Sequence, residues 1–76
     1  MTITKKEFKY LKEGLASDIV ELLMKDYQLD MSAALHILYE SDTYSKLNDP
    51  STGLYFQGSR YVYSFLQNEL RTGLST

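Results

Sequence analysis

Hydrophobic residues recur at spacings of three and four along the first third of the chain, the pattern of one helix face. The stripe runs through Phe8, Leu11, Leu15, Ile19 and Leu22, and Val20, Leu23 and Tyr27 widen it. Thr4 and Glu7 have the T-x-x-E spacing of a capping box, so the pattern predicts a helix over residues 5–27. Gly14 lies inside the stripe, where glycine costs about 1 kcal/mol relative to alanine. A break near Gly14, with Ser17 capping a second segment, is the alternative.

Two shorter helices are predicted after a turn at residues 28–30. Asp30 is a suitable N-cap, because its carboxylate can accept from a free backbone N–H of the first turn. The helix that it begins covers residues 31–40. Ser41 repeats the capping chemistry and precedes a short helix over residues 42–47.

The chain between the third and last helices is predicted to be a loop. Residues 48–53 form the densest turn signal of the sequence, with the only proline. Residues 54–56, Leu-Tyr-Phe, are too few to assign by periodicity, and we expect them to lie extended across the helices. Ser59 is the expected cap of a last helix over residues 60–71, which Gly73 is placed to end.

The predicted fold class is all-α. We expect one helical domain over residues 1–76, a compact bundle of three main helices plus one short helix, with an extended aromatic loop before the last helix. The expected core consists of Leu11, Leu15, Ile19, Leu22, Leu35, Leu38, Val62, Phe65 and Leu66.

The composition limits how this domain is stabilised and where it acts. The chain has 76 residues and no cysteine, so no disulfide supports the small core. It has no apolar stretch of membrane-spanning length and no apolar segment behind its N-terminal lysines. We therefore expect a cytoplasmic protein that does not associate with membranes.

No group of residues predicts catalysis or a bound cofactor. His36 is the only histidine, and no nucleophile-elbow or phosphate-binding glycine motif accompanies it. The acidic residues are scattered at spacings typical of helix caps and solvated faces. We expect a protein that is not an enzyme and that has no metal, cofactor or small-molecule substrate.

The aromatic content points instead to a binding surface. Seven tyrosines and three phenylalanines are more than a core of this size is expected to hide. We expect those left outside to contact a protein partner or a second copy of the chain. The candidate contact residues are Tyr44, Leu54, Tyr55, Phe56, Tyr61 and Tyr63.

The distribution of charged residues suggests an alternative function, which is nucleic-acid binding. The chain has a net charge of −2, but its first twelve residues contain four lysines and one acid. A nucleic-acid-associated accessory protein would use these lysines, which are Lys5, Lys6, Lys9 and Lys12. Nucleic acid is the less favoured partner, because such domains are normally basic overall and the second helix offers no arginine, lysine, asparagine or glutamine to read bases.

From Asp18 to about residue 70 the chain resembles short uncharacterised bacterial proteins that carry domain-of-unknown-function labels. The resembling segments are Tyr27–Ser32 with Ala34, Leu38–Ser41, Thr43–Tyr44 with Leu47, Thr52–Tyr55 and Tyr61–Tyr63. Some proteins of this kind lie beside toxin-like genes. The resemblance therefore implies an antitoxin-like or regulatory binding role, and it assigns no functional residue.

Overall fold

The computed structural model describes residues 3–72 and confirms an all-α bundle, with no strand among those residues. Three helices have nine or more residues and one is short. Two 3-10 turns, Pro50–Thr52 and Leu54–Phe56, connect the third helix to the fourth. The helices are α1 (Lys5–Tyr27), α2 (Met31–Tyr39), α3 (Asp42–Leu47) and α4 (Ser59–Thr72).

Helix α1 is continuous, so the alternative break near Gly14 is wrong. The predicted capping box begins it: the Thr4 N–H donates to the Glu7 carboxylate, and the Glu7 N–H donates to the Thr4 hydroxyl, both at 3.0 Å. Donation from the Thr4 N–H, followed by donation from the Thr4 hydroxyl to the same carboxylate at 3.1 Å, holds the pKa of Glu7 below its ordinary value. The helix ends at Tyr27, and its C-cap Gln28 has a left-handed backbone (φ 56°, ψ 49°) that turns the chain toward α2.

The predicted caps of α2 and α3 are confirmed. Asp30 accepts from the Ala33 N–H at 2.8 Å, and Ser41 accepts from the Tyr44 N–H at 3.0 Å. Helix α2 ends at Tyr39, one residue before the predicted boundary, because Ser41 already begins the next helix. Only Glu40 and Ser41 separate the two helices.

Residues 54–56 (Leu-Tyr-Phe) were predicted to be extended, but they form a 3-10 turn. Gly53 reverses the chain with φ 70°, after which the Phe56 N–H donates to the Gly53 carbonyl and the Gln57 N–H to that of Leu54. An extended triplet would leave these amides without those partners. The turn also directs the Leu54 side chain into the core.

Helix α4 begins at Ser59, one residue earlier than predicted. The Gly58 carbonyl accepts from the Val62 N–H, so Gly58 occupies the position that the sequence assigned to Ser59. The predicted C-cap, Gly73, lies outside the described residues.

The buried core lies where α1, α2, α3 and α4 meet. It consists of Leu15, Ile19, Val20, Leu23, Ala34, Leu38, Leu47, Leu54, Val62, Tyr63 and Leu66. Leu22 and Leu35 are only partly buried and pack against this cluster, and Leu11 is also only partly buried. Phe65 was predicted to be core but is 44% exposed, because α4 turns Val62 and Leu66 inward and leaves Phe65 beside Tyr61 at the surface.

Polar contacts fix α4 against the other helices. The Glu69 carboxylate accepts from the backbone N–H groups of Asp42 and Thr43 and from the Thr43 hydroxyl, at 2.7–3.0 Å. It therefore satisfies free amides at the start of α3 that have no partner within that helix. At the other end of α4, the Tyr63 hydroxyl donates to the Asp26 carboxylate of α1 at 2.8 Å.

Candidate protein-binding surface

Two of the six predicted contact residues belong to the core. Leu54 is buried beneath its 3-10 turn, and Tyr63 is 2% exposed. Burial, followed by the hydrogen bond to Asp26, raises the pKa of the Tyr63 hydroxyl far above its ordinary value. Leu54 and Tyr63 therefore hold the bundle together and are not available to a partner.

The other four predicted contact residues do not form one surface. Tyr44 lies beside Tyr39, with ring centroids 5.0 Å apart, and Tyr61 lies beside Phe65 at the same separation. Tyr55 and Phe56 instead face the first half of α1. Residues that are close in sequence between 54 and 63 are thus divided among the core and two separate surfaces.

An apolar concavity lies between the first half of α1 and the Leu54–Phe56 turn, and we call it the aromatic groove. Its main part has a volume of about 820 Å³. A second concavity shares Tyr10, Leu11, Tyr55 and Phe56 with it and extends along α1 past Gly14 as far as Asp18, and we call it the continuation of the groove. The residues that line its main part are Ile3, Lys6, Glu7, Tyr10, Leu11, Tyr55 and Phe56.

Contacts between aromatic rings order one side of the groove. Phe8 of α1 meets Tyr55 edge to face with centroids 5.1 Å apart, and Tyr55 stacks on Phe56 at 5.2 Å. Tyr55 is half-buried by these contacts, whereas Phe56 remains 74% exposed and Tyr10 is 77% exposed. Two large aromatic side chains therefore stand at the rim of an apolar groove, with little protein around them.

Gly14 lines the continuation of the groove, next to Tyr10 along the helix. A Cβ placed on Gly14 meets no atom within 4 Å, so no contact inside the chain requires a glycine there. Glycine at this position destabilises the helix by about 1 kcal/mol relative to alanine, and no close packing against Gly14 offsets that loss. The space beside Gly14 is open to an approaching side chain.

The charges of α1 are divided between its two halves. Residues 5–12 carry four lysines and one acid, a net charge of +3, and residues 13–27 carry four acids and one lysine, a net charge of −3. Lys6 and Glu7 line the main part of the groove, and Glu13 and Asp18 line its continuation.

The four predicted nucleic-acid contacts are not equally free. The Lys12 ammonium donates to the Asn48 side-chain oxygen at 2.8 Å and lies 5.3 Å from the centre of the Phe8 ring. Lys12 thus connects α1 to the end of α3, a role that its place in a basic run does not indicate. Lys5, Lys6 and Lys9 are exposed.

The remaining ionisable groups form no reactive arrangement among residues 3–72. His36 approaches Glu40 at 3.4 Å on the exposed face of α2, where both side chains are about 70% exposed. No group of three potential metal-ligating side chains occurs in this part of the chain. Within the same residues, no helix combines the length and the apolar character that crossing a membrane requires.

The sequence prediction omitted the α1 side of the groove. Tyr10 lies off the hydrophobic stripe of its helix, and a large aromatic residue on an otherwise polar helix face is the signal that identifies it. Phe65 was assigned to the core, although the structure exposes it.

Comparisons with protein-family models, with curated proteins and with solved structures give no match to this chain.

Proposed function

We propose that this protein is a protein–protein interaction module and that the aromatic groove is its binding surface. The observation that carries this proposal is the exposure of Tyr10 and Phe56, at 77% and 74%, on either side of an apolar groove. Covering two aromatic side chains removes a large apolar area from water, and aromatic residues dominate the binding energy of protein interfaces.

The groove is already shaped for a ligand. Phe56 stacks on Tyr55, and Tyr55 is in turn fixed by Phe8, so the Leu54–Phe56 turn has little freedom left to lose on binding. A surface that is ordered before binding avoids the entropic cost of immobilising its side chains. A small module of this kind acts by occupying a partner and needs no catalytic residue.

The biological setting that we propose is that of an antitoxin-like or regulatory protein, as the resemblance to bacterial proteins beside toxin-like genes implies. The nucleic-acid alternative has less support. Lys12 contacts Asn48 and Phe8, which leaves three exposed lysines in the N-terminal basic segment of a chain of net charge −2.

Site-specific photocrosslinking tests the proposal for a protein partner of any identity. Benzoylphenylalanine would replace Tyr10 or Phe56 in the protein as produced in its own organism, and the adducts would be identified by mass spectrometry. Tyr39, which is 55% exposed and lies outside the groove, is the matched control. We expect a defined protein adduct at Tyr10 and Phe56 and none, or far less, at Tyr39. The absence of adducts at both groove positions would contradict the proposal.

A paired substitution supplies the second test. Tyr10→Ser with Phe56→Ser removes the exposed rings but leaves the buried core unchanged, so the circular dichroism spectrum should match that of the wild type. We expect this variant to lose the complex that the crosslinking identifies, while Tyr39→Ser retains it. Equal retention by both variants would place the binding surface elsewhere.

A further inference from the structure

The continuation of the groove indicates which kind of side chain the partner places there. We infer that the partner inserts an arginine beside Gly14, between the Tyr10 ring and the carboxylates of Glu13 and Asp18. This inference rests on the proposed function, since it names the chemistry of the partner that binds the same surface.

The charges that line the groove are acidic on balance. Lys6 and Glu7 line the main part, where their opposite charges cancel. Glu13 and Asp18 line the continuation, and no lysine or arginine of residues 3–72 lines it with them. The other lysines of the N-terminal basic segment line neither part. A partner that enters the continuation therefore meets two carboxylates and no cation of the described chain.

Neither carboxylate is neutralised within the part of the chain that the structure describes. The only ion pair among residues 3–72 joins His36 to Glu40, on α2. Glu13 and Asp18 are both exposed on α1. A basic group of the partner can therefore reach both carboxylates without breaking an existing ion pair.

The spacing along α1 leaves room for one side chain between a ring and a carboxylate. Tyr10, Gly14 and Asp18 follow one another at intervals of four residues, so they lie along the same side of the helix, about 6 Å apart per interval. A Cβ built on Gly14 meets no atom within 4 Å. Glu13 lines the same space. A side chain seated beside Gly14 would thus have an aromatic ring on one side and a carboxylate on the other.

Arginine matches this combination of neighbours. Its methylene groups can pack on Leu11 and Leu15, which also line the continuation, while its charged end stays near water. Its planar guanidinium can stack on the exposed ring of Tyr10 or Phe56 and donate to a carboxylate at the same time. An apolar side chain would leave the carboxylates unused, and an acidic one would be repelled by them.

Two dipeptides that differ in one charge test this preference with defined probes. The probes are acetyl-phenylalanyl-arginine amide and the same compound with citrulline, which has nearly the same shape as arginine but no charge. In amide NMR titrations we expect the arginine probe to shift Tyr10, Glu13, Gly14 and Asp18 with a Kd at least about threefold lower than that of the citrulline probe. Equal affinities, or no shift from either probe up to about 20 mM, would contradict the inference.

A pair of charge-matched variants applies the same test to the partner that crosslinking identifies. Glu13→Gln with Asp18→Asn removes both carboxylates of the continuation and should raise the Kd of that complex about tenfold. The control, Glu21→Gln with Glu40→Gln, changes the net charge equally at two exposed residues that do not line the groove, and it should leave the Kd within about twofold.

The outcomes distinguish this inference from the proposed function. If E13Q/D18N binds the crosslinked partner as tightly as the wild type, or no more weakly than E21Q/E40Q does, the arginine is excluded. Adducts at Tyr10 and Phe56 would still support the groove as the binding surface. If neither position gives an adduct, both proposals fail.

Discussion

The two halves of α1 have different surroundings, although one continuous hydrophobic stripe runs through both. All the buried residues of α1 lie from Leu15 onward, where the helix packs against α2 and α4. No residue of its first ten is buried, and this half exposes Tyr10 beside the aromatic groove. The second half supplies all the side chains that α1 buries in the core, and the first half is the half available for binding.

This contrast predicts a large difference between two leucine substitutions in the same helix. Leu23→Ala empties a fully buried site and should lower the free energy of unfolding by about 2–5 kcal/mol. Leu11→Ala alters a partly exposed residue and should cost less than about 1.5 kcal/mol. Urea unfolding followed by circular dichroism measures both. Equal losses would show that the two halves contribute alike to the fold.

Tyr63→Phe tests the polar contact that holds the second half of α1 to α4. Loss of the hydrogen bond to Asp26 should destabilise the protein by about 1 kcal/mol at neutral pH. Because folding raises the pKa of this hydroxyl, its contribution is complete below the ordinary pKa of 10.0 and is lost as the pH rises toward the folded value. The advantage of the wild type over Tyr63→Phe should therefore shrink above about pH 10. An advantage that stays constant to about pH 11 would contradict this coupling.

Gly14→Ala should have the smallest effect on stability, and of the opposite sign. The added methyl group meets no atom within 4 Å, so the substitution should raise the free energy of unfolding of the monomer by up to about 1 kcal/mol. The same methyl group would fill open space in the continuation of the groove, so partner binding should weaken. Thermal unfolding and the yield of the photocrosslink at Tyr10 separate the two effects. A destabilised monomer would mean that Gly14 serves the fold.

The helices could be predicted well from the sequence because their signals are local. The capping box at Thr4 and the caps at Asp30 and Ser41 depend only on residues a few positions apart, and all three are present. The 3-10 turn at residues 54–56 was not predicted, because three apolar residues show no periodicity and the deciding feature is the left-handed backbone of Gly53.

The candidate surface was harder to predict, because it depends on which elements meet. Tyr61 and Tyr63 are two residues apart on α4, yet one is exposed and the other is buried against Asp26. Phe56 becomes part of a groove only because its turn packs beside Tyr10, which is 46 positions earlier in the chain. Sequence spacing contains no information about that contact.

The central claim is that the first half of α1, together with Tyr55 and Phe56, is a binding face for a protein partner. Amide NMR spectra recorded with and without the partner that crosslinking identifies test it most directly, because every residue reports separately. On binding we predict shifts for residues 5–18 and for Tyr55 and Phe56, with α2 unchanged. Shifts confined to α2 and α4 would contradict the claim.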